Sequence, residues 1–501
     1  MDRRGLFRPL GALALGLAAG AARESRAAPP MVGADVDPGA VLDKLLSRVT
    51  YHPRAEDRAE AASLGYWGYL ERQLEPGDII DSECDARLAH FSTLGLTAAE
   101  MYTLQPPNSQ AQPQRPSILV ALGDLTEAAL TRAFCSKRQL YERMVEFWTD
   151  HFNIDVLDQD QVFLKPLHDR EAVRAYAMET FESLLMATAM SPAMLHYLDN
   201  IASTKKSPNE NFARELLEIH TVSPESGYTQ QDVREVARCF TGWGHYSEDP
   251  SNGTSVGTFK FDMSIHDTGA KTVMGMEIPE GGGLSDGVAV LQMLAAHPNT
   301  ALHVCGKLCR WFLGEGTHGS VVAAAAAKFL DTGGDIRSVL RVILRPEHVH
   351  DAPLRYKRPF HCYVSALRAT GATVTSFTES RAHIDFMGQP LFAWTPPDGY
   401  PDTVSYWGRL LQPRWRFAIY LASVANNYLG SFPGVVIDDE ALFSGCETAE
   451  SCVDRMDDVM FLGRMPAADR AALVGMLGVV NRNTKREALS VALGSDGFQW
   501  Y

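Results

Sequence analysis

Apolar residues return every three or four positions along most of this chain, and that period constrains the fold more than any other feature. In residues 137–152, KRQLYERMVEFWTDHF, the side chains Tyr141, Met144, Val145, Trp148 and Phe152 fall at offsets 0, 3, 4, 7 and 11. On an α-helix these positions form one stripe, which must be buried against other helices. The same pattern runs through about 56–74, 83–97, 117–134, 169–189, 208–220, 229–241, 284–296, 299–313, 320–331, 335–344, 357–370 and 406–429. It returns at 449–461, 466–478 and 483–494. Ser191-Pro192, Thr229 before Gln230 and Ser285 before Asp286 are helix-start signals. The fold class is therefore mainly α, a single large multi-helical domain spanning 35–501 with no internal repeat.

Three segments break the period. Thr258 to Met263 alternates like a strand, and Lys271 to Met276 reads as its return, so a small β-hairpin is expected near 256–276. Residues 105–116 carry Pro106, Pro107, Pro113 and Pro116 and read as a loop. Residues 388–407, GQPLFAWTPPDGYPDTVSYW, hold too many prolines for a helix and too many aromatics for a disordered linker. An ordered loop packed on the helical body, lining a cleft, is expected there.

Residues 1–30 read as a leader rather than fold. Arg3 and Arg4 precede Gly5, Leu6 and Phe7, and from Leu10 to Ala22 the chain is Ala, Gly and Leu only. This is the pattern of twin-arginine export, with small residues at Ala21-Ala22 and Ala27-Ala28 for cleavage. A periplasmic or extracellular location is the expectation. That route carries folded proteins, often with a cofactor already inserted. The net charge of −15 argues against nucleic acid and against docking on an anionic membrane. No internal stretch suggests stable membrane insertion.

Eight cysteines show no CxxC spacing. Cys305 and Cys309 share a helix face, as a buried apolar pair would. Cys446 and Cys452 flank a short loop and are the best disulfide candidates in an oxidising compartment.

The densest polar constellation is NENFARELLEIH at 209–220. On one continuous α-helix Asn211, Arg214, Glu215 and Glu218 share a face, with His220 at the carbonyl end. Carboxylates one turn apart beside an arginine suit acid–base work; the plainer alternative is a solvated face with an Arg214–Glu218 pair. In FWTDHFNID, His151 edges the apolar stripe next to Asp150, either as a core histidine or as a base or metal ligand. Glu142 and Glu146, four apart, read as a solvated face. Asp199 and Asn200 end a short helix, where they cap the chain or point into a cleft. His266-Asp267-Thr268-Gly269-Ala270-Lys271 is a turn, with His266 and Lys271 beyond what a turn requires. There is no GxSxG, P-loop, Rossmann fingerprint, HExxH or ferritin-like Glu-x-x-His pair.

These segments together resemble one family, the bacterial domain-of-unknown-function 1800 proteins. The resemblance rests on NENFARELLEIHTV, GYTQQDVREVARCFTGWG, FWTDHFNID, SPAMLHYLDN, IHDTGAKTVMG, LAAHPNTALHVCGKLCRWF and GQPLFAWTPPDGYPD, in the family's order from about 45 to 420. It implies a predominantly helical, exported protein, encoded beside a sulfatase- or alkaline-phosphatase-like protein of the domain-of-unknown-function 1501 family, a possible partner. It elevates Asn209, Glu210, Asn211, Arg214, Glu215, Glu218, His220, Tyr228, Thr229, Asp232 and Trp243, and also His151, Asp199, Asn200, His266, Asp267, Lys271 and Pro401-Asp402. This chain departs at Thr149 and Asp150, where the family usually has His and Asn, and at Val222-Ser223-Pro224, where an apolar-Gly ending is usual.

Three functions follow as expectations. The first is an extracytoplasmic hydrolase acting on a polymer or conjugate such as a glycan. Its catalytic residues would be Glu215, Glu218, Arg214, His220, His151 and Asp199, with Asn211, Asn200, Trp243, His266, Asp267, Lys271 and Tyr400 binding substrate. Trp394 and Trp407 join Trp243 and Tyr400 as rings that could stack on sugars. The second is an oxidoreductase holding a transition metal through His151, His220, His266 and Asp150. No motif requires a cofactor. The third is a non-catalytic partner or maturation factor of the sulfatase-like protein.

Overall fold

The computed structural model describes residues 36–104, 118–157, 161–246, 256–316, 318–422 and 433–501. The leader and the proline-rich 105–116 loop therefore lie outside the described residues. The fold is mainly α, as the periodicity requires. Helix Gln139–His151 buries the expected stripe, and Trp148 is fully enclosed with its Nε1 donating to the Ala177 carbonyl at 2.9 Å.

Two cores result. The larger gathers Leu45, Tyr69, Trp148, Phe181, Phe240, Leu308 and Phe329 from the first two thirds of the chain. The second gathers Tyr363, Leu367, Phe417, Val453 and Leu489 from the C-terminal third, with Leu130 and Phe134 from helix Ile118–Cys135. In the second, Leu411–Ala422 packs along Arg482–Gly494. In the first, Pro298–Leu313 packs on Gly319–Asp331, which packs on Ile336–Ile343.

Several helices are shorter than their apolar patterns. The 83–97 pattern yields a helix only over Ser82–Leu88. The 169–189 pattern splits into a π-helix at Asp169–Arg174 and helix Phe181–Ala189. The 208–220 pattern changes pitch midway: Glu210–Glu215 is α-helical and Leu216–His220 is a π-helix. Helix Gln230–Cys239 begins as expected, Thr229 and Asp232 forming a capping box.

The expected hairpin is corrected by the pairing. Strand β1 (Trp243–His245) pairs antiparallel with β2 (Phe259–Phe261), Trp243 opposite Phe261. Strand β3 (Lys271–Val273) pairs with β4 (Met276–Ile278), Lys271 opposite Ile278. The two alternating segments thus have different partners. The reason is local: Met274 and Gly275 both take positive φ and turn β3 back at once. A third pair, β5 (Thr373–Val374) with β6 (Val435–Val436), edges the second core.

The 388–407 segment is mostly irregular, as its prolines demand, and ends in a short helix at Val404–Trp407. It is pinned to the end of the 139–151 helix. Asn153 donates to the carbonyls of Trp394 and Pro396 at 2.6 and 2.8 Å, and Val156 N–H to that of Phe392 at 2.8 Å. Gly399 has φ of 75°, and a Cβ there would lie 2.2 Å from the Asp150 carbonyl oxygen. Only glycine allows that approach.

All eight cysteines are free and buried, Cys305 and Cys309 among them. The disulfide expected between Cys446 and Cys452 is not formed; the Cys452 thiol lies 3.8 Å from the Cys446 carbonyl instead.

Candidate functional site

The π-helix decides how the 209–220 segment presents its polar residues. A wider turn rotates everything after Leu216 relative to an α-helix. Arg214 consequently pairs back with Glu210 at 3.2 Å and with Gln230, rather than forward with Glu218. His220 does not cap a helix in solvent but is 2% exposed against Phe152, ring centroids 5.0 Å apart. Two histidines of other helices satisfy the turn's last carbonyls. His303 Nε2 donates to the Ile219 oxygen and His151 Nε2 to the His220 oxygen, both at 3.1 Å.

Since a carbonyl only accepts, His151 carries its proton on Nε2 and leaves the Nδ1 lone pair for Lys307, whose Nζ donates at 2.8 Å. Burial, then the Lys307 charge, keeps these rings neutral: His220 is pushed down to about 3, His303 to about 4, and His151 also well below the usual range. Burial lowers Lys307 itself to about 8, with Asp150 and Asp398 pulling the other way.

Lys307 opens on a groove of about 550 Å³. One wall is the π-helix and the loop after it, with Glu218, Ser223, Glu225 and Ser226. The other is helix Pro298–Leu313, presenting Asn299, His303, Lys307 and Arg310 along one face. Asp398 closes one side, held there by the Gly399 contact and by Trp394 Nε1, which donates to its Oδ1 at 3.0 Å. Glu215, half-buried, sits one turn before Glu218. Burial, then the charges of Glu218 and Asp398, raises its carboxyl above the usual range, against the pull of Arg214. Tyr197 lies beside Glu215, Asp155 and Asp398, and Tyr228 hydrogen-bonds Glu218. Glu218, Glu225 and Asp398 thus share the groove with Lys307 and Arg310, and Glu215, biased toward its protonated form, stands beside Glu218.

A match to a protein family covers almost all of this architecture: residues 44–500 fit the family described as "Protein of unknown function (DUF1800)". The chain belongs to the DUF1800 family. No curated protein and no solved structure matches it.

Within this DUF1800 chain, the structure sets Glu218 in the groove wall, Glu215 beside it and His151 behind Lys307, while Arg214 pairs with Glu210 and Gln230 and His220 packs on Phe152. It places the other expected residues elsewhere. Asp199 is exposed, with left-handed φ of 60°, and accepts from Asn211 Nδ2 at 3.2 Å. Asn200 is buried, donating to the carbonyls of Phe240 and Trp243. Trp243 is a core ring, 1% exposed and pressed on Gly287, so it cannot stack on a sugar. Tyr400 and Trp407 are buried within the 388–407 loop, whereas Trp394 is half-exposed beside Asp398.

The 266–271 turn is internally satisfied. His266 contacts the Thr241 carbonyl and Asp286, Lys271 Nζ reaches Asp286 at 2.8 Å, and Arg238 clasps Asp267 at 2.7 and 3.1 Å. The proposed metal set does not assemble: His266 is committed to this turn, Asp150 to Arg358, and both nitrogens of His151 to hydrogen bonds. Among the described residues no three His, Cys, Asp or Glu side chains converge as metal ligands.

The polar face of helix Gln139–His151 also differs from expectation. Glu142 and Glu146 are not solvated. Arg174 binds Glu142 at 3.0 Å and Asp169 at 2.8 Å. Glu146 takes Arg143 and the Tyr51 hydroxyl, both at 2.9 Å. Arg358 binds Asp150 at 2.5 Å. Glu142, Glu146, Asp150, Asp169 and Arg174 line a small pocket of about 60 Å³. Asp150 and Thr149, which stand where the family usually has Asn and His, both line it.

Sequence reasoning missed Lys307, His303, Arg310 and Asp398. One signal was available: Asn299, His303 and Lys307 are four apart, and Arg310 follows three later, a polar stripe opposite Cys305 and Cys309. Asp398 carried none, because its place depends on where the loop docks.

Proposed function

We propose that this protein is a hydrolase acting on a polymer or conjugate such as a glycan, with the groove as its active site. The observation that carries the reading is Glu215, a half-buried carboxyl raised above its usual range beside Glu218 and Asp398, which line an open groove. Carboxyls whose environments push their protonation apart suit an acid and a base at one pH. Glu215 is the acid that protonates the leaving oxygen. Asp398 or Glu218 draws the proton from the attacking water, which needs about 6.5 to 9.5 Å between the two carboxyls. The half-exposed Trp394 offers a ring beside Asp398.

The twin-arginine pattern of the first residues supports delivery to the periplasm or beyond. The family resemblance extends the proposal to a co-exported sulfatase-like protein working on the same polymer. No helix among the described residues is long and apolar enough to cross a membrane.

The test is a panel of polysaccharides and chromogenic glycosides incubated with the full chain. The substrate that is cleaved should be cleaved about 10²- to 10⁴-fold more slowly by Glu215→Gln, the range of a lost general acid. Full activity in Glu215→Gln and in Glu218→Gln would remove the groove from the reaction.

A further inference from the structure

The charges in the groove are matched asymmetrically. Its carboxylates have donors: Tyr228 for Glu218, Trp394 Nε1 for Asp398, and the Ser223 hydroxyl for Glu225. Its cations form no ion pair among the described residues. Lys307 is bonded to a neutral imidazole, and among the described residues no carboxylate lies within ion-pair distance of it or of Arg310. Of the acids whose charge reaches Lys307, Asp150 is paired with Arg358 and Asp402 with Arg355, while Asp398, on the groove wall, accepts from the neutral Trp394 Nε1 and makes no ion pair with Lys307. From the remaining sides Lys307 meets His151, His220, His303 and Arg310, none of them negative. Lys307 and Arg310 are three apart on one helix face, so both reach the same volume.

We infer that the groove selects a carboxylate-bearing sugar, of the uronic-acid type, and that Lys307 and Arg310 hold its carboxylate. The inference rests on the glycan reading above and adds the charge of the substrate. Two donors side by side suit the two oxygens of a carboxylate. A doubly charged group would face Glu218, Glu225 and Asp398 across the same space, and a monoanion kept to the helix side meets less repulsion. The acids, Asn299 and the serines are left for hydroxyl groups. Binding an anion also restores the proton that burial makes Lys307 ready to lose, so association near pH 8 takes up a proton.

The experiment is titration calorimetry of the full chain at pH 8 with trigalacturonate and with its methyl ester, the same sugar without charge, in buffers of different ionisation enthalpy. The acid should bind about tenfold or more tighter than the ester, with proton uptake. Lys307→Gln should abolish the uptake, and Arg310→Ala, at an exposed position, should bring the acid to the level of the ester. Glu215→Gln should leave the preference intact while lowering turnover. Equal binding of acid and ester overturns the inference and leaves the hydrolase reading standing. Binding of neither overturns the inference, and the glycan reading is then decided by its own activity panel. An unchanged preference in Arg310→Ala and Lys307→Gln also overturns it.

Discussion

Helix Gln139–His151 separates two constellations of charge that look alike in composition and differ in matching. On one side Glu142, Glu146 and Asp150 meet Arg174, Arg143 and Arg358 beside a small pocket. On the other, His151 supports Lys307 at a wide groove where Glu218, Glu225 and Asp398 share the space with Lys307 and Arg310, and no ion pair joins acid to cation among the described residues. A matched buried network is costly to break, because each charge is left uncompensated when its partner goes. A mismatched, half-open set stores no such dependence; its unsatisfied charge is available to a ligand. The same residue types therefore read as scaffold in one place and as site in the other.

The sharpest test of the contrast is to cut the paired side. Arg358→Ala strands Asp150 and should cost about 3–5 kcal/mol in denaturant unfolding. A loss under about 1 kcal/mol would show that the network is no scaffold.

Next in size is acid. His151, His220 and His303 are held neutral, with folded pKa values below the unfolded value of about 6.5. The unfolded chain therefore binds more protons below that pH. Stability is complete above it and falls as pH drops from about 6.5 toward 4, by up to about 1.4 kcal/mol per pH unit for each histidine. Urea midpoints at pH 7 and pH 5 measure it, and equal midpoints would contradict the buried neutral rings.

On the open side the effect on stability should be small. Lys307→Met removes an unmatched buried charge and should shift stability by less than about 1 kcal/mol, or raise it, while ligand binding is lost. A large loss in thermal unfolding would place Lys307 in the scaffold after all.

The smallest effect is electrostatic. Glu218→Gln removes one of the charges that raise Glu215, so the Glu215 carboxyl should titrate lower by carbon NMR. No movement would show that the two carboxyls are not coupled.

How far could the sequence be read? The stripe from Tyr141 to Phe152 predicted its helix, and the prolines of 388–407 predicted an irregular, docked segment. Both are local consequences of spacing and backbone chemistry. Thr258–Met263 was read correctly as a strand, and Lys271–Met276 only up to Val273, where a turn at Met274-Gly275 intervenes; both were given the wrong partners, because alternation fixes a strand and not its neighbour. Glu142 and Glu146 were misread for a related reason: the face opposite an apolar stripe is solvated only if nothing covers it, and the helices bearing Arg174 and Arg358 do.

The candidate site was half legible. Glu215 and Glu218 stood out by composition and spacing, while Trp243, Lys271 and His266 stood out equally and are fastened inside the fold. What the sequence alone determined is the helical class, the family and the carboxylate-rich segment, since these rest on residues near one another in the chain. The tertiary structure decided the π-turn that re-aims Glu218 and buries His220, and the docking of Asp398 through Gly399. It also decided the meeting of Lys307 with His151. The last two join residues more than 150 positions apart in the chain, and only the packing of distant helices sets which charges find partners and which face the groove.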